Sequence, residues 1–198
     1  NGLQLDWIGV GGIEHGTGRV PGDSSGGLSD TKNSNLTLHE VLLKAQGWSS
    51  ERIRFRLRTA GLRVVCVEAI YGWANAANPA AALEASREAI EIAPAHGSPN
   101  PAAVVLEPEL EPMEATVANR AALAGRAAGV DVAICVEFLP WSGIPDITTC
   151  WDLLRRTGRP NVGVLLDSWQ WLRQPGGPYG RHADTLASML GGAIRVFQ

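Results

Sequence analysis

Short, wholly apolar runs recur along this chain, each separated from the next by a longer stretch with helical spacing. The runs are Leu5–Val10, Val64–Val67, Ala103–Leu106, Val132–Val136, Val162–Leu166 and Ile194–Phe197. Unbroken Val/Ile/Leu runs of this length suit strands buried on both faces, as a parallel sheet requires. The intervening segments Ser50–Ala60, Pro79–Ala93, Glu111–Ala128, Ile147–Arg156 and His182–Leu190 read as helices. In the third, Met113, Val117, Ala121 and Ala124 form one apolar stripe. Glu111 and Glu114 near its start and Arg126 near its end agree with the helix dipole. Gly61, Gly129 and Gly158 are placed to end helices in left-handed caps. Strand–helix alternation of this kind means an α/β domain.

Two α/β architectures compete, an open doubly wound sheet and a (β/α)₈ barrel. The open sheet usually carries a glycine fingerprint after its first strand. Gly9-Val10-Gly11-Gly12-Ile13-Glu14 fails at the last glycine, and Gly16-Thr17-Gly18 lacks the third. The Gly/Ser/Asn-rich stretch from Gly11 to Asn35 reads instead as a long active-site loop or insertion.

Four of the apolar runs end in an acid: Glu68, Glu107, Glu137 and Asp167. A fifth ends in Gln198. In a parallel barrel these C-terminal strand ends share one rim, where such barrels carry their active sites. Crowded carboxylates repel, so the rim calls for a cation, a shared proton or an arginine. Oxygen-rich ligation favours Mg²⁺ or Mn²⁺, with Co²⁺ or Zn²⁺ as further candidates. Any one of these acids, taken alone, is equally explained as a helix cap or a solvated loop residue. Trp73, Trp141 and Trp169 follow three of them closely. Their flat rings suit stacking on a sugar or cyclitol, or else a plugged barrel mouth or a contact between copies in a homo-oligomer.

Composition narrows the function. The 198 residues are 45% hydrophobic and 19% charged, with a net charge of −3. That balance excludes disorder and argues against a dedicated nucleic-acid or anionic-membrane surface. The longest apolar runs fall far short of the roughly 18 residues a bilayer span needs. Three cysteines, two of them inside apolar runs, imply no disulfide framework and fit a reducing, cytoplasmic setting. No Met or basic–apolar leader opens the sequence, and it stops within a run that reads as a strand. The expectation is therefore an incomplete view of a longer protein.

Glu137-Phe138-Leu139-Pro140-Trp141-Ser142-Gly143-Ile144-Pro145-Asp146, followed by Gly158-Arg159-Pro160-Asn161-Val162-Gly163-Val164-Leu165-Leu166-Asp167-Ser168-Trp169, resembles the xylose isomerase-like TIM barrel superfamily. More narrowly, it resembles the sugar phosphate isomerase/epimerase group. Ala60-Gly61-Leu62-Arg63-Val64-Val65 leading to Glu68, and Ile194-Arg195-Val196-Phe197-Gln198, add to the likeness. The resemblance implies a (β/α)₈ barrel, with about strands two to seven inside residues 1–198 as a single, truncated domain, and a divalent-metal-dependent isomerase or epimerase acting on a sugar, ketose or cyclitol through an enediolate. It implies Glu137, Asp167 and Gln198 as metal ligands, a fourth ligand after Gln198, and Glu137 as one of the acid–base pair. The same chemistry expelling a β-hydroxyl gives a dehydratase (lyase) of an inosose-like or dehydroshikimate-like ring. A third reading is a non-catalytic barrel that binds a small polar ligand.

One departure bears on the choice. The group commonly reads Asp-x-Trp-His at the second acid, with Arg three residues on. This chain reads Asp167-Ser168-Trp169-Gln170 and retains Arg173. An amide hydrogen-bonds but does not titrate. Glu68, Trp73, Glu107, Trp141, Trp169, Gln170, Arg173 and His15 are the candidate substrate contacts. Arg52, Arg54, Arg56 and Arg58 read as charges along a surface helix. His39, His96 and His182 read as structural or solvated. Cys66 and Cys135 are expected to be buried and inert.

Overall fold

A computed structural model describes residues 47–110, 112–189 and 192–198. The first apolar run, the loop from Gly11 to Asn35, His15, His39 and Glu111 lie outside the described residues. Eleven elements follow in order: α1 (Ser50–Thr59), β1 (Val67–Ile70), α2 (Pro79–Ala95), β2 (Pro101–Ala103), α3 (Met113–Ala128) and β3 (Ile134–Glu137), then α4 (Ile147–Thr157), β4 (Val162–Leu166), α5 (Ser168–Arg173), α6 (Arg181–Ser188) and β5 (Ile194–Phe197). The strands form one five-stranded sheet in sequential order, and every neighbouring pair is parallel. This is the sheet-and-helix pattern of a TIM barrel wall, with α2, α3, α4 and α6 packed in succession along it.

The sheet's two faces bury different partners. Val67, Ala103, Ile134, Val136, Val164 and Leu166 join the large core shared with the helices. Cys66, Ala102, Cys135, Leu165 and Val196 form a separate cluster on the other face. Strand side chains alternate, so stepping on by two from each member of the second cluster stays on its face. Those steps arrive at Glu68, Val104, Glu137, Asp167 and Gln198.

Local signals explain most boundaries. Ser49, Asn78 and Asp146 cap α1, α2 and α4 by accepting from the backbone N–H of Arg52, Ala81 and Thr149. Gly158 ends α4 in the left-handed region, as its position predicts. Gly129 does not: it stays right-handed, and the positive φ falls on Asp131 instead. Aspartate is among the few non-glycine residues that accept that conformation.

Three expectations shift for one physical reason. The first strand covers Val67–Ile70 rather than Val64–Val67, so Glu68 lies within it. The second covers Pro101–Ala103 rather than Ala103–Leu106. Apolarity marks burial, whereas strand limits follow the pairing partner, and Val67 pairs with Pro101. The α3 stripe is also rotated by about one position. Its buried face is Thr116, Asn119, Arg120, Leu123, Ala124 and Ala127. Carbonyls meet two of its three polar residues: Asn119 Nδ2 donates to Ala74 O and Ala76 O, and Arg120 Nη2 to Ile134 O.

Candidate active site

Glu137 is the last residue of β3, Asp167 immediately follows β4, and Gln198 immediately follows β5. Gln198 is locked beside Asp167's neighbours by backbone bonds, its N–H donating to Leu166 O and its carbonyl accepting from Ser168 N, both at 2.9 Å. Asp167 caps α5, with Oδ1 accepting from Trp169 N at 2.6 Å and Gln170 N at 3.3 Å. That cap anchors one carboxylate oxygen at the rim.

The acids sense one another. Burial pushes the Glu137 carboxyl up to about 8, and the negative charges of Glu68 and Asp167 push the same way. Burial raises Glu68 to about 7, with Asp167 adding to it. Three acids far apart in sequence therefore lie near enough for their charges to act on one another. Glu68 Oε1 and Gln198 Oε1 are buried with no hydrogen-bond partner among the described residues. Gln170 is buried beside Glu137 and partly favours its anion, yet neither amide atom makes a well-aligned hydrogen bond to a described group. Buried polar atoms are normally paired, so these atoms are candidate contacts for a polar ligand.

Two candidate contacts are corrected. Trp73 is fully buried, and its indole N–H donates to Val104 O at 3.0 Å. Its rings belong to the large core shared with the helices. Glu107 does not share the register of the other acids: β2 offers Val104 at that inward step, and Glu107 lies three residues beyond. Its carbonyl instead accepts from Gly143 N at 2.8 Å, tying two rim loops together. A Cβ at Gly143 would stand 2.6 Å from Leu110 Cγ and 3.0 Å from Leu110 N, so the approach requires glycine.

Trp141 and Trp169 are more than half exposed, at 52% and 55%. The Arg173 guanidinium stacks on Trp169, 3.7 Å from the ring centroid. The structure thus brings Glu68, Glu137, Asp167, Gln170 and Gln198 together and leaves Trp141, Trp169 and Arg173 open to solvent. The β2 loop's contact with Gly143 has no signal in the sequence beyond the glycine itself.

Glu137, Asp167 and Gln198 are the residues that could hold a metal. All three offer oxygen donors, and the unpartnered Gln198 Oε1 fits a hard divalent ion. Among the described residues, no three His, Cys, Asp or Glu side chains form a complete metal cluster. Two carboxylates and one amide make a partial set.

The fold and this rim define a parallel-strand barrel with an acidic site at the strands' C-terminal ends. The family model for the xylose isomerase-like TIM barrel matches residues 8–198, and the chain belongs to that family. Among solved structures it is similar to the IolI protein with a bound zinc atom, at 17% identity and a TM-score of 0.67, covering 80% of this chain and 58% of that one. It is similar to D-allulose 3-epimerase from Methylomonas sp. in complex with D-allulose, at 18% identity and a TM-score of 0.58, covering 79% and 58%. It is also similar to AsbF from Bacillus anthracis, a probable 3-DHS dehydratase involved in petrobactin synthesis. That match has 15% identity and a TM-score of 0.61, covering 79% and 57%. The chain thus spans less than two thirds of each of these relatives, and at such identities the likeness shows the fold. A comparison with curated proteins finds no match.

Proposed function

We propose that this chain carries the active site of a divalent-metal-dependent isomerase or epimerase acting on a sugar, ketose or cyclitol. The observation that supports this most is the convergence of Glu137 and Asp167 on one rim beside the buried, unpartnered Gln198 Oε1. Mn²⁺ or Mg²⁺ suits these donors best. Such an ion would supply positive charge for the negative charge that develops on adjacent substrate oxygens. Glu137, at the strand end, removes or returns the proton beside the carbonyl. Gln170 offers one donor and one acceptor to substrate oxygens. Trp141 and Trp169 offer flat apolar faces for the ring or chain of a small polar substrate, with Arg173 at its outer edge. Relatives that bind D-allulose or are described as a probable dehydratase support this class of substrate and keep the lyase as second reading.

Cys66, Cys135 and Cys150 are all buried and free, which supports a reducing, cytoplasmic setting. No described helix is long and apolar enough to cross a membrane.

The test uses two substitutions that keep the fold. Asp167→Asn retains a good helix cap, so its expected effect is Mn²⁺ affinity lowered about 10-fold or more at little cost in stability. Glu137→Gln is expected to abolish turnover in a ketose epimerisation assay while the protein stays folded. Unchanged metal stoichiometry in the first, or retained turnover in the second, removes that residue from its role. A new conjugated double bond seen by ultraviolet absorbance would select the lyase.

A further inference from the structure

The segment after Asp167 is fastened to the segment after Glu137 through one buried side chain. Gln174 follows α5, and its Oε1 accepts from Ile147 N at 3.1 Å. Its Nε2 donates to Trp171 O at 3.0 Å, and its own N–H donates to Gln170 O at 2.9 Å. Ile147 opens α4, so its N–H has no acceptor within its own helix. Gln174 supplies that acceptor from another part of the chain, next to the cap that Asp146 gives Thr149. The same corner is pinned again by His182. Its Nε2 lies 2.9 Å from Pro175 O, which can only accept, so the ring donates there. Nδ1 then faces the Thr148 hydroxyl at 3.0 Å.

We propose that Gln174 is a positioning residue. By joining the end of α5 to the start of α4, it makes the loop after Glu137 and the helix bearing Gln170 one rigid unit. The separation of Glu137 from Asp167 and Gln170 is thereby set before anything binds. This inference rests on the reading of Glu137 and Asp167 as metal ligands, and it adds a residue that touches neither metal nor substrate. Sites held in place by a buried supporting shell bind more tightly than sites that must be ordered on binding.

The experiment measures amide hydrogen exchange over residues 138–146 and 168–173, together with Mn²⁺ affinity, in the wild type and three variants. Gln174→Leu removes the acceptor. Gln174→Glu keeps it but loses the donor to Trp171 O. Asn161→Ala, which deletes bonds to Ala124 O and Val132 O at the opposite end of the strands, is a stability control. Gln174→Leu is expected to speed exchange in both segments and to weaken Mn²⁺ about tenfold. Gln174→Glu is expected to fall between the wild type and Gln174→Leu in both readouts, and Asn161→Ala to lose stability with both readouts unchanged. Equal loss of Mn²⁺ affinity in Gln174→Leu and Asn161→Ala, or unchanged exchange in Gln174→Leu, overturns the proposal. If the wild type takes up no Mn²⁺, the metal reading fails, and the exchange pattern alone then supports or overturns the clasp.

Discussion

At the start of β3 the guanidinium of Arg120 is buried on the helix side of the sheet, donating to the Ile134 carbonyl. At the end of the same strand the carboxyl of Glu137 is buried on the opposite face. The charges are opposite, yet they do not offset each other. The groups acting on Arg120 are the thiols of Cys150 and Cys135, whereas those acting on Glu137 are Glu68 and Asp167. Burial lowers Arg120 to about 10 and raises Glu137 to about 8, each away from its charged form. Arg120 lies in closed packing, 5.9 Å from the centroid of Trp73 and out of reach of solutes. Glu137 lies at the strand ends that also carry Glu68 Oε1 and Gln198 Oε1, which, like Arg120 Nε and Nη1, have no hydrogen-bond partner among the described residues. Burial of charge therefore marks a site only where a ligand can arrive to compensate it.

That contrast can be broken experimentally. The largest effect is expected at the rim. Raised carboxyls bind protons in the folded state that the unfolded chain has already released above its ordinary value of 4.5. Folding is therefore most favourable at and below that value and weakens as pH rises through 7 and 8. In chelator, stability should fall by about 3 kcal/mol or more between pH 5 and 8. Denaturant titrations across that range check it, and saturating Mn²⁺ or Glu137→Gln should flatten the slope. A flat profile in the wild type would contradict the burial of the two acids.

An intermediate effect belongs to Arg120→Ala, which removes a large, fully buried side chain. The expected cost is about 2–4 kcal/mol, seen in thermal unfolding, with Mn²⁺ affinity unchanged. The smallest belongs to Arg120→Met, which fills most of the volume without charge. Stability is expected to stay within about 1 kcal/mol of wild type, because the buried charge itself contributes little. A loss as large as that of the alanine variant would mean the guanidinium is needed for its charge, and the contrast between the two ends of β3 would narrow.

Glu137, Asp167 and Gln198 were legible in the sequence because each ends an apolar run, and parallel strands bring such ends to one rim. Glu107 meets the same rule in sequence and departs from it in space, since strand pairing ends at Ala103 and the inward step falls on Val104. Trp73 was misread for a related reason: proximity in sequence to Glu68 says nothing of which way the chain turns after β1. The burial of Asn119 and Arg120 was hidden because an apolar stripe predicts where hydrophobic contacts lie, not where a carbonyl will receive a polar group. Gln174 carried no signal at all, since its partner Ile147 is 27 residues away.

Periodicity alone determined the alternation of strands and helices and the parallel character of the sheet, because unbroken apolar runs demand burial on both faces and helical spacing demands burial on one. Only the tertiary structure decided which acids meet, which tryptophans remain exposed, and that Gln170 and Gln198 hold amide atoms unpartnered among the described residues. Those properties depend on how distant segments are packed against one another, and spacing along a chain does not encode direction in space.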